Sequence, residues 1–579
     1  MRVVLVSGGV ISGVGKGIIA SSAGLLLKTT GLRVTAIKID PYLNVDAGTL
    51  GPLEHGECFV LADGGECDLD LGNYERYLGI QLTRDSNITT GKIYESVIQR
   101  ERRGDYLGKT VQVVPHITDQ IQDWIMKVAQ VPVDDSGEAP DVCIIELGGT
   151  VGDIESAPFV EALVQLRHKL TKDPNSSFQN IHVSYVPLIH GEEKTKPTQH
   201  AIKQMRSAGL IPDIIACRCD LALDDSTTRK IASSCQVDLE QVIGVHDMDT
   251  IYEVPLLLQE QGFLARLQKG LGLDKLSLPA SAVSKGNELW NLWKNTVVVP
   301  KDRPPVEIAL VGKYTSFLDS YISVMKSLEH AAMRCKRRLK LVPVDSEQLD
   351  EDFKKKDPAK YEEAWAAVKR SQGIVVPGGF GSRGIQGMID CAQWARENKH
   401  NYLGICLGMQ VATIEASRNL CGRKNATSEE FDVDSKYPDD WAVVFMPESS
   451  KEHLGGTMRL GTRPSLFQKG TEWSKLRALY GGAETVHERH RHRYEVNPDR
   501  IEELEKVGVH FIAKDETGTR MEAMELKDHP FFVGLQAHPE LTSKVMHCSP
   551  PFLGLVAASC GMLDQITAES KMHNGDANF

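Results

Sequence analysis

One stretch of the sequence, NYLGICLGMQ at residues 401–410, decides much of the fold. Its apolar first half predicts a short buried strand, and the residues after Cys406 predict a helix. Gly404 and Gly408 flank the cysteine in a G-x-C-x-G pattern, the cysteine version of a nucleophile elbow, in which a sharp turn pushes a reactive side chain out of the sheet. A helix N-terminus aimed at the thiol favours its thiolate form. A buried cysteine in an ordinary strand is the alternative, and this stretch alone leaves the two interpretations even.

The composition indicates an ordinary soluble globular protein. The chain has 579 residues, of which 41% are hydrophobic and 25% charged, and this length predicts about two to four domains. A net charge of -12 disfavours a general nucleic-acid or membrane surface. The twelve cysteines are scattered, with Cys217 and Cys219 the only close pair, which favours a reducing, cytoplasmic compartment. No apolar run of the sequence is long enough to span a bilayer.

The N-terminus predicts a phosphate-binding loop. An apolar strand at 3–6 is followed by SGGVISGVGKG at 7–17 and then by a predicted helix. Backbone N–H groups at such a helix start cradle phosphate, and Lys16 would reach the terminal phosphates. Gly17 replaces the usual Ser or Thr, so metal ligands must come from elsewhere. A glycine-rich turn without a ligand is the alternative.

Two carboxylates are candidate Mg²⁺ ligands. Asp70 lies in an acidic, glycine-rich run at 63–72, which could equally be a solvated loop. Glu146 ends the apolar strand 142–146, and the carboxyl end of a parallel strand is where ligands bind in open α/β sheets. The run 191–200 carries lysines and hydroxyls before a predicted helix, which suits an anion or a plain charged surface loop.

Alternating strands and helices predict two doubly wound α/β domains. The first is expected at 1–275. A connection at 276–305, carrying a short tryptophan-bearing helix at 288–294, leads to the second domain at 306–563, and 564–579 is expected to be a flexible tail.

The second domain carries further candidates for acyl-transfer chemistry. A strand ends at the glycine loop Gly378-Gly379, whose N–H groups could stabilise an oxyanion. His538 closes another apolar strand, and Glu540 follows two residues later, as a general base and its orienting acid would. Alternating histidines at 487–494 are interleaved with arginines, which favours a charged strand or an anion contact over a metal site.

These motifs, in this order, closely resemble the class I triad glutamine amidotransferases. The first half resembles the P-loop amidoligases related to dethiobiotin synthetase, and the chain from 3 to about 563 resembles the CTP synthase family in its eukaryotic form. The most specific shared runs lie at 7–17, 194–199 and 488–494. The glycine after Lys16 is that family's own pattern.

The resemblance implies that Cys406 is the nucleophile, His538 the general base and acid, and Glu540 its orienter. Ammonia from glutamine would aminate UTP, which ATP first phosphorylates at O4, in a ligase reaction that forms a C–N bond. By motif match, the implied ligand-binding residues are Gly13, Val14, Gly15, Lys16, Gly17, Ile18 and Asp70 for ATP; Ser12, Asp153, Ile154, Glu155, Lys194, Thr195, Lys196, Pro197, Thr198, Gln199 and Lys230 for UTP or inhibitory CTP; Gly379, Leu407, Gly408, Met409, Gln410, Glu430 and Arg493 for glutamine; and Asp70 and Glu146 for Mg²⁺.

The resemblance also implies activation by GTP, inhibition by CTP, a homotetramer and polymerisation into filaments, with no nucleic-acid or membrane partner. It implies a passage that carries ammonia between the domains, and His55 is a hypothetical lining residue of it. A cobyrinic acid amidase shares both domain types but would need a corrinoid site. A filament-forming protein with an inactive site is disfavoured by the intact triad, and a P-loop switch GTPase by the missing Ser/Thr and the attached glutaminase.

Overall fold

The structure, a computed structural model, describes residues 1–134, 136–447 and 458–572. They form two compact units. The first unit comprises Met1–Ala47 and Asp70–Val297, and the second comprises Gly48–Leu69 and the chain from Val298 onward. Among the described helices, none combines the length and the apolar character that a membrane crossing requires.

The first unit is built on a seven-stranded parallel sheet in the order β7-β6-β5-β1-β4-β2-β3. Its strands are β1 (Arg2–Gly8), β2 (Val34–Asp40), β3 (Asn87–Thr89), β4 (Val142–Leu147), β5 (Ser177–Tyr185), β6 (Ile214–Arg218) and β7 (Val242–Val245). Successive side chains of a strand point to opposite faces, and Val3–Val6 are all fully buried, so helices cover both faces of this sheet.

The helices of the first unit follow the strands as crossover connections, and a short hairpin joins Leu188–Ile189 to Glu192–Glu193. The helices are Lys16–Lys28, Leu69–Leu78, Thr90–Arg103, Thr118–Val128, Ala157–Leu170, Lys196–Ser207, Asp225–Cys235, Val254–Glu260, Phe263–Gly270 and Ala280–Val297.

The second unit contains a nine-stranded mixed sheet in the order β9-β8-β10-β11-β16-β15-β14-β12-β13. Its strands are β8 (Pro305–Gly312), β9 (Arg338–Asp345), β10 (Gly373–Val376), β11 (Tyr402–Ile405), β12 (Arg459–Phe467), β13 (Thr485–His492), β14 (Val509–Lys514), β15 (Met521–Leu526) and β16 (Phe532–Leu535). The first five strands of this order, which run from β9 through β8, β10 and β11 to β16, pair in parallel. The remaining neighbours in the sheet pair antiparallel. Ala309 and Ile308 of β8 belong to hydrophobic cores on opposite faces of the sheet.

The helices of the second unit are Pro52–His55, Ile322–Arg334, Glu351–Lys356, Pro358–Arg370, Ile385–Glu397, Leu407–Asn419, Lys475–Leu479, Ile501–Lys506, Pro550–Ser559 and Leu563–Met572. Smaller strands pair in a hairpin, Phe59–Val60 with Glu66–Cys67, and in a three-stranded sheet of Thr427–Ser428, Trp441–Phe445 and Tyr494–Val496. The predicted fold class, two doubly wound α/β domains, is confirmed.

The division of the chain differs from the predicted boundaries at residues 48–69. They fall inside the predicted first domain, yet they pack within the second unit. Arg491 Nε donates to Glu66 Oε1 at 2.9 Å, and Ser320 Oγ donates to the Pro52 carbonyl at 2.7 Å. The placement of this segment depends on contacts with residues more than 250 positions away in the sequence. Local sequence patterns do not reveal such contacts.

The predicted connection and tail also differ. The helix expected at 288–294 extends over Ala280–Val297 and belongs to the first unit, because Trp293 is fully buried and its Nε1 donates to the Tyr252 carbonyl at 3.0 Å. The tail expected from 564 lies largely within helix Leu563–Met572, which buries Ile566. Residues 573–579 lie outside the described residues.

Candidate active sites

Cys406 occupies a strained turn between β11 and helix Leu407–Asn419. Its φ of 52° and ψ of -100° lie in a region that side chains with a Cβ rarely adopt. A Cβ on Gly404 would lie 2.6 Å from the Gly408 carbonyl, and one on Gly408 would lie 2.0 Å from the Val376 carbonyl oxygen. Both glycines are therefore required for strand and helix to approach, as a nucleophile elbow demands.

His538 follows β16, the parallel neighbour of β11, so the imidazole and the thiol lie at the same edge of the sheet. His538 Nδ1 contacts Glu540 Oε1 at 2.7 Å. Burial alone would lower the pKa of His538, but the Glu540 carboxylate and the Cys406 sulfur raise it well above its usual value. A Cβ on Gly378 would lie 2.8 Å from His538 Cε1, so the glycine loop covers the ring. This arrangement can move a proton between a thiol and a leaving group.

The glycine loop after β10 is held by side chains from two other segments. Tyr314 OH accepts from the Phe380 N–H at 3.1 Å, and Glu430 Oε1 accepts from the Gly381 N–H at 2.9 Å. Lys313 Nζ donates to the carbonyl oxygens of the same two loop residues, and burial lowers the pKa of Lys313 to about 8. Sequence reasoning missed Lys313, although a charged residue directly after an apolar strand is the signal that identified Glu146.

A cavity of about 300 Å³ opens in the second unit in front of the thiol. It gathers the triad with four of the residues predicted to bind glutamine, and residues of the 48–69 segment complete its wall. The lining includes Cys406, His538, Glu540, Gly379, Gln410, Glu430, Arg493, Thr49, Pro52, Glu57 and Cys58. This volume suits a small-molecule ligand.

Other predicted residues of this region lie differently. Leu407, Gly408 and Met409 form the buried first turn of the elbow helix. The side chains of Leu407 and Met409 are buried, so the backbone of this turn is the part that can meet a ligand. His55 lies exposed at the end of the short helix Pro52–His55, whose first residue lines the cavity.

The predicted phosphate loop joins β1 to helix Lys16–Lys28. Gly13 and Gly15 adopt positive φ values of 71° and 97°, which only glycine takes without strain. Lys16 Nζ donates to the Gly149 carbonyl at 2.9 Å, and burial lowers the pKa of Lys16. The free N–H groups of a helix start beside a lysine are what a phosphate chain requires.

The predicted metal ligands converge on the first turn of this helix. A Cβ on Gly17 would lie 2.8 Å from Asp70 Oδ1 and 3.4 Å from Glu146 Oε2. The ammonium of Lys38 bonds both carboxylates, at 3.0 Å to Glu146, and Tyr74 donates to Glu146. Burial raises the pKa of Glu146, as does neighbouring Asp70. Two carboxylates next to a phosphate loop fit Mg²⁺, which usually takes one or two protein carboxylates together with phosphates and water.

In the part of the chain that the structure describes, no group of three or more His, Cys, Asp or Glu side chains is arranged to hold a metal. Sequence reasoning missed Lys38, which lies near the end of the mostly apolar strand β2, two residues before Asp40.

A second cavity of about 120 Å³ adjoins the phosphate loop. Val14, Gly15 and Ile18, all predicted to bind ATP, line it together with residues at the ends of β6 and β7 and just after β7. Arg218 and Asp247, which bond each other, belong to that second group and were missed. Mixed apolar and polar walls of this kind suit a flat heteroaromatic ring.

The residues predicted to bind UTP lie in loops after β1, β4 and β5, which are neighbours in the sheet, and on helices Lys196–Ser207 and Asp225–Cys235. The loops after β1 and β4 touch, since the Val151 N–H donates to the Gly8 carbonyl at 3.0 Å. Lys194 bonds Glu192, whose pKa is lowered by Lys194 and, more weakly, by Lys230. The exposed members are Ser12, Ile154, Glu155, Lys196 and Lys230; Asp153, Lys194, Pro197 and Gln199 are partly exposed.

Thr195 and Thr198 are buried. The Thr198 hydroxyl bonds Ser184 Oγ at 2.9 Å and the Tyr185 carbonyl at 3.4 Å. This threonine therefore fastens the helix start to β5, and its side chain faces the sheet.

Comparison with known proteins covers nearly the whole chain. Residues 2–273 match the family model for the CTP synthase N-terminus, and residues 316–558 match class-I glutamine amidotransferase. The CTP synthase of Gibberella zeae is 68% identical over 100% of this chain and 99% of its own length, and that of Neurospora crassa is 64% identical over the same shares. The solved glutaminase domain of Trypanosoma brucei CTPS with bound acivicin is 39% identical, with a TM-score of 0.40, over 44% of this chain and 94% of that one.

The fold and its two sites define a glutamine amidotransferase in which a triad unit accompanies a phosphate-loop unit. More specifically, the chain belongs to the CTP synthase family. It is an ATP-dependent ligase of pyrimidine biosynthesis with glutamine and nucleotide substrates, and it converts UTP to CTP with glutamine as the nitrogen donor.

Proposed function

We propose that the second unit releases ammonia from glutamine by a thioester route. Cys406 attacks the side-chain amide of glutamine while His538 takes the thiol proton and then passes it to the departing ammonia. Backbone N–H groups near Gly379 and Leu407 stabilise the oxyanion. His538 next activates the water that hydrolyses the glutamyl thioester, giving glutamate and the free thiol. The 2.7 Å contact between His538 and Glu540 supports this assignment.

The cavity in front of the thiol holds the amino-acid end of glutamine. Arg493 suits the α-carboxylate, since a guanidinium binds a carboxylate with two parallel hydrogen bonds. Glu430 offers the opposite charge to the α-ammonium group. Burial raises the pKa of Glu430, while the Gly381 N–H and Lys313 act in the other direction.

In the first unit, ATP phosphorylates O4 of the uracil ring, and ammonia from the second unit displaces that phosphate at C4 to yield CTP. Lys16 stabilises the transferred phosphoryl group. Asp70 and Glu146 would hold Mg²⁺, which when bound neutralises charge on the phosphates. The cavity beside the loop, lined by Val14 and Ile18, accommodates the adenine ring. The uracil nucleotide binds along the loops after β1, β4 and β5, and CTP inhibits by occupying the same triphosphate contacts.

The enzyme is regulated and assembled as the family resemblance implies: GTP activates it, it forms a homotetramer in the cytoplasm, and it polymerises into filaments. Large apolar side chains are exposed on the first unit, and their burial between copies would favour assembly. Among them are Leu43, Val45, Ile98, Leu107, Val113, Val114 and Ile154. Light scattering with and without ATP and UTP tests the assembly, and a mass that stays at one chain under both conditions would contradict it.

The observation that carries the proposal is the convergence of the thiol, the His538–Glu540 pair and the glycine loop on one cavity with Glu430 and Arg493. The test is CTP formation from UTP, ATP and Mg²⁺ with either glutamine or an ammonium salt. Lys16→Ala should abolish both reactions, whereas Lys127→Ala, an exposed lysine of the same unit, should preserve them. Synthesis retained in Lys16→Ala would refute the assigned phosphoryl transfer.

A further inference from the structure

We propose that Gln536 is a further catalytic residue of the glutaminase, because its side-chain amide donates a hydrogen bond to the reacting sulfur. Gln410 and the Tyr494 carbonyl act as positioning groups that hold this amide in one orientation. The inference rests on the proposed function and deepens it.

The contacts form a continuous buried chain behind the thiol. Gln536 Nε2 donates to Cys406 Sγ at 3.5 Å, within the range of hydrogen bonds to sulfur. Gln410 Nε2 donates to Gln536 Oε1 at 3.2 Å and to the Tyr494 carbonyl oxygen at 3.0 Å. Gln536 and Gln410 are only 1% and 4% exposed, respectively, so bulk water does not compete for these bonds.

The direction of every bond in this chain follows from one backbone atom. A carbonyl oxygen can only accept, so the end of the Gln410 amide that faces Tyr494 must be its NH₂ group. The same NH₂ group faces Gln536, which must therefore present its oxygen to Gln410. The remaining end of the Gln536 amide, an NH₂ group, then points at the sulfur. The backbone of Gln536 is fixed independently, since its N–H donates to the Glu522 carbonyl at 2.9 Å.

The Tyr494 carbonyl is itself held from its other side. His492 Nδ1 donates to it at 3.0 Å, and His492 Nε2 accepts from His490 Nδ1 at 3.1 Å. Burial lowers the pKa of His492 to about 3 and that of His490 well below its usual value, so both rings are neutral near pH 7. Each neutral ring has one N–H, and the chain uses both of them to fix the carbonyl.

The chain ends at two buried atoms. His490 Nε2 and Glu522 Oε2 lie 3.6 Å apart, and each is without another hydrogen-bond partner among the described residues. Burial raises the pKa of Glu522 to about 8, while Arg459, whose guanidinium contacts Glu522 Oε1 at 3.4 Å, acts in the other direction. Neutral groups thus extend from His490 to the thiol.

This arrangement serves the thiolate state. A sulfur anion gains a charge-assisted hydrogen bond from the amide N–H, and the bond keeps the sulfur aimed into the cavity. Gln536 is absent from the residues that line the described cavity, so it acts on the nucleophile and leaves substrate binding to other groups. Its loss should therefore lower kcat for glutamine and leave KM unchanged.

The experiment compares Gln536→Glu and Gln536→Met with the wild-type full chain. In its ionised form the glutamate side chain still accepts from Gln410 but offers the sulfur no donor. The methionine side chain is similar in size and has no donor in any protonation state, so it removes the donor whatever the charge at this position. We expect kcat for glutamate release to fall about 100-fold or more in Gln536→Glu and about 10-fold in Gln536→Met, with KM within a factor of two. Alkylation of Cys406 by iodoacetamide should reach half its maximal rate at a higher pH in both variants.

Gln565→Glu, on the exposed face of helix Leu563–Met572, is the matched control and should behave as wild type. Either unchanged kcat and alkylation in both Gln536 variants, or a rise in KM at constant kcat, would overturn the inference. If Gln536→Glu fails to fold, the methionine variant decides. Absence of glutamate release by the wild type would instead overturn the proposed function, so the two failures are distinguishable.

Discussion

Replacing Glu540 by glutamine isolates the electrostatic part of the triad. The change keeps size and shape but removes the charge that faces His538 Nδ1 at 2.7 Å, in a site where the two side chains are 13% and 4% exposed. Removing the charge of one partner in a buried pair costs about 3–5 kcal/mol. If that loss falls on the transition state, it lowers the rate of glutamine hydrolysis about 10²-fold to 10⁴-fold. Because Glu540 raises the pKa of His538, the pKa of the ring should also fall.

The assay for Glu540→Gln is single-turnover glutamate release, with ammonium-dependent CTP formation measured in parallel. Glutamate release should fall within the range above, and the ammonium reaction should stay within a factor of two. Glu502→Gln, at an exposed site of the same unit, is the control. Glutamine hydrolysis within tenfold of wild type, or an equal loss of the ammonium reaction, would refute the reasoning.

Three further perturbations test other parts of the structure. Gly408→Ala places a methyl group 2.0 Å from the Val376 carbonyl oxygen. The free energy of unfolding in urea should therefore fall by about 1–3 kcal/mol, and glutaminase activity should disappear. Unchanged stability would contradict the packing described for the elbow. Glu146→Gln should lower CTP formation from both nitrogen donors about 100-fold and raise the Mg²⁺ requirement while glutamate release persists, and loss of glutamate release would count against the assignment. Burial lowers the pKa of His529 to about 4, so the unfolded ring takes up a proton below pH 6.5 while the folded one stays neutral. The free energy of unfolding of the second unit should therefore fall by about 2 kcal/mol between pH 7 and pH 5. This part of the decrease should be absent in His529→Gln, and an equal pH dependence of the two proteins in urea titrations would exclude this cause.

Features that depend on neighbouring residues could be predicted from the sequence. The G-x-C-x-G pattern predicts the turn at Cys406 because the backbone is packed most closely at the two glycines. Gly404 lies against the backbone of Gly408, and Gly408 lies against the Val376 carbonyl of β10. Apolar runs ending in a charged or glycine residue likewise indicate strand ends, and the carboxyl ends of parallel strands meet at one edge of a sheet. This rule places Lys16 and Glu146 together.

Features that depend on distant pairing could not be predicted. The segment 48–69 packs against residues such as Arg491, and no local pattern distinguishes this excursion from a loop of the first domain. Gln536 follows an apolar strand, as many other polar residues do. The proposed orientation of its amide depends on contacts with Gln410 and, through it, Tyr494, which are distant in sequence. Thr198 lies in an anion-binding pattern of the sequence, and that pattern does not reveal the bond between its hydroxyl and Ser184 of β5.

The central claim is that Cys406 supplies ammonia and that a separate site in the first unit makes CTP. The most direct measurement is the rate of CTP formation by Cys406→Ala from UTP, ATP and Mg²⁺, with glutamine in one reaction and an ammonium salt in the other. The glutamine reaction should disappear, and the ammonium reaction should proceed at the wild-type rate. Loss of both reactions, or persistence of the glutamine reaction, would contradict it.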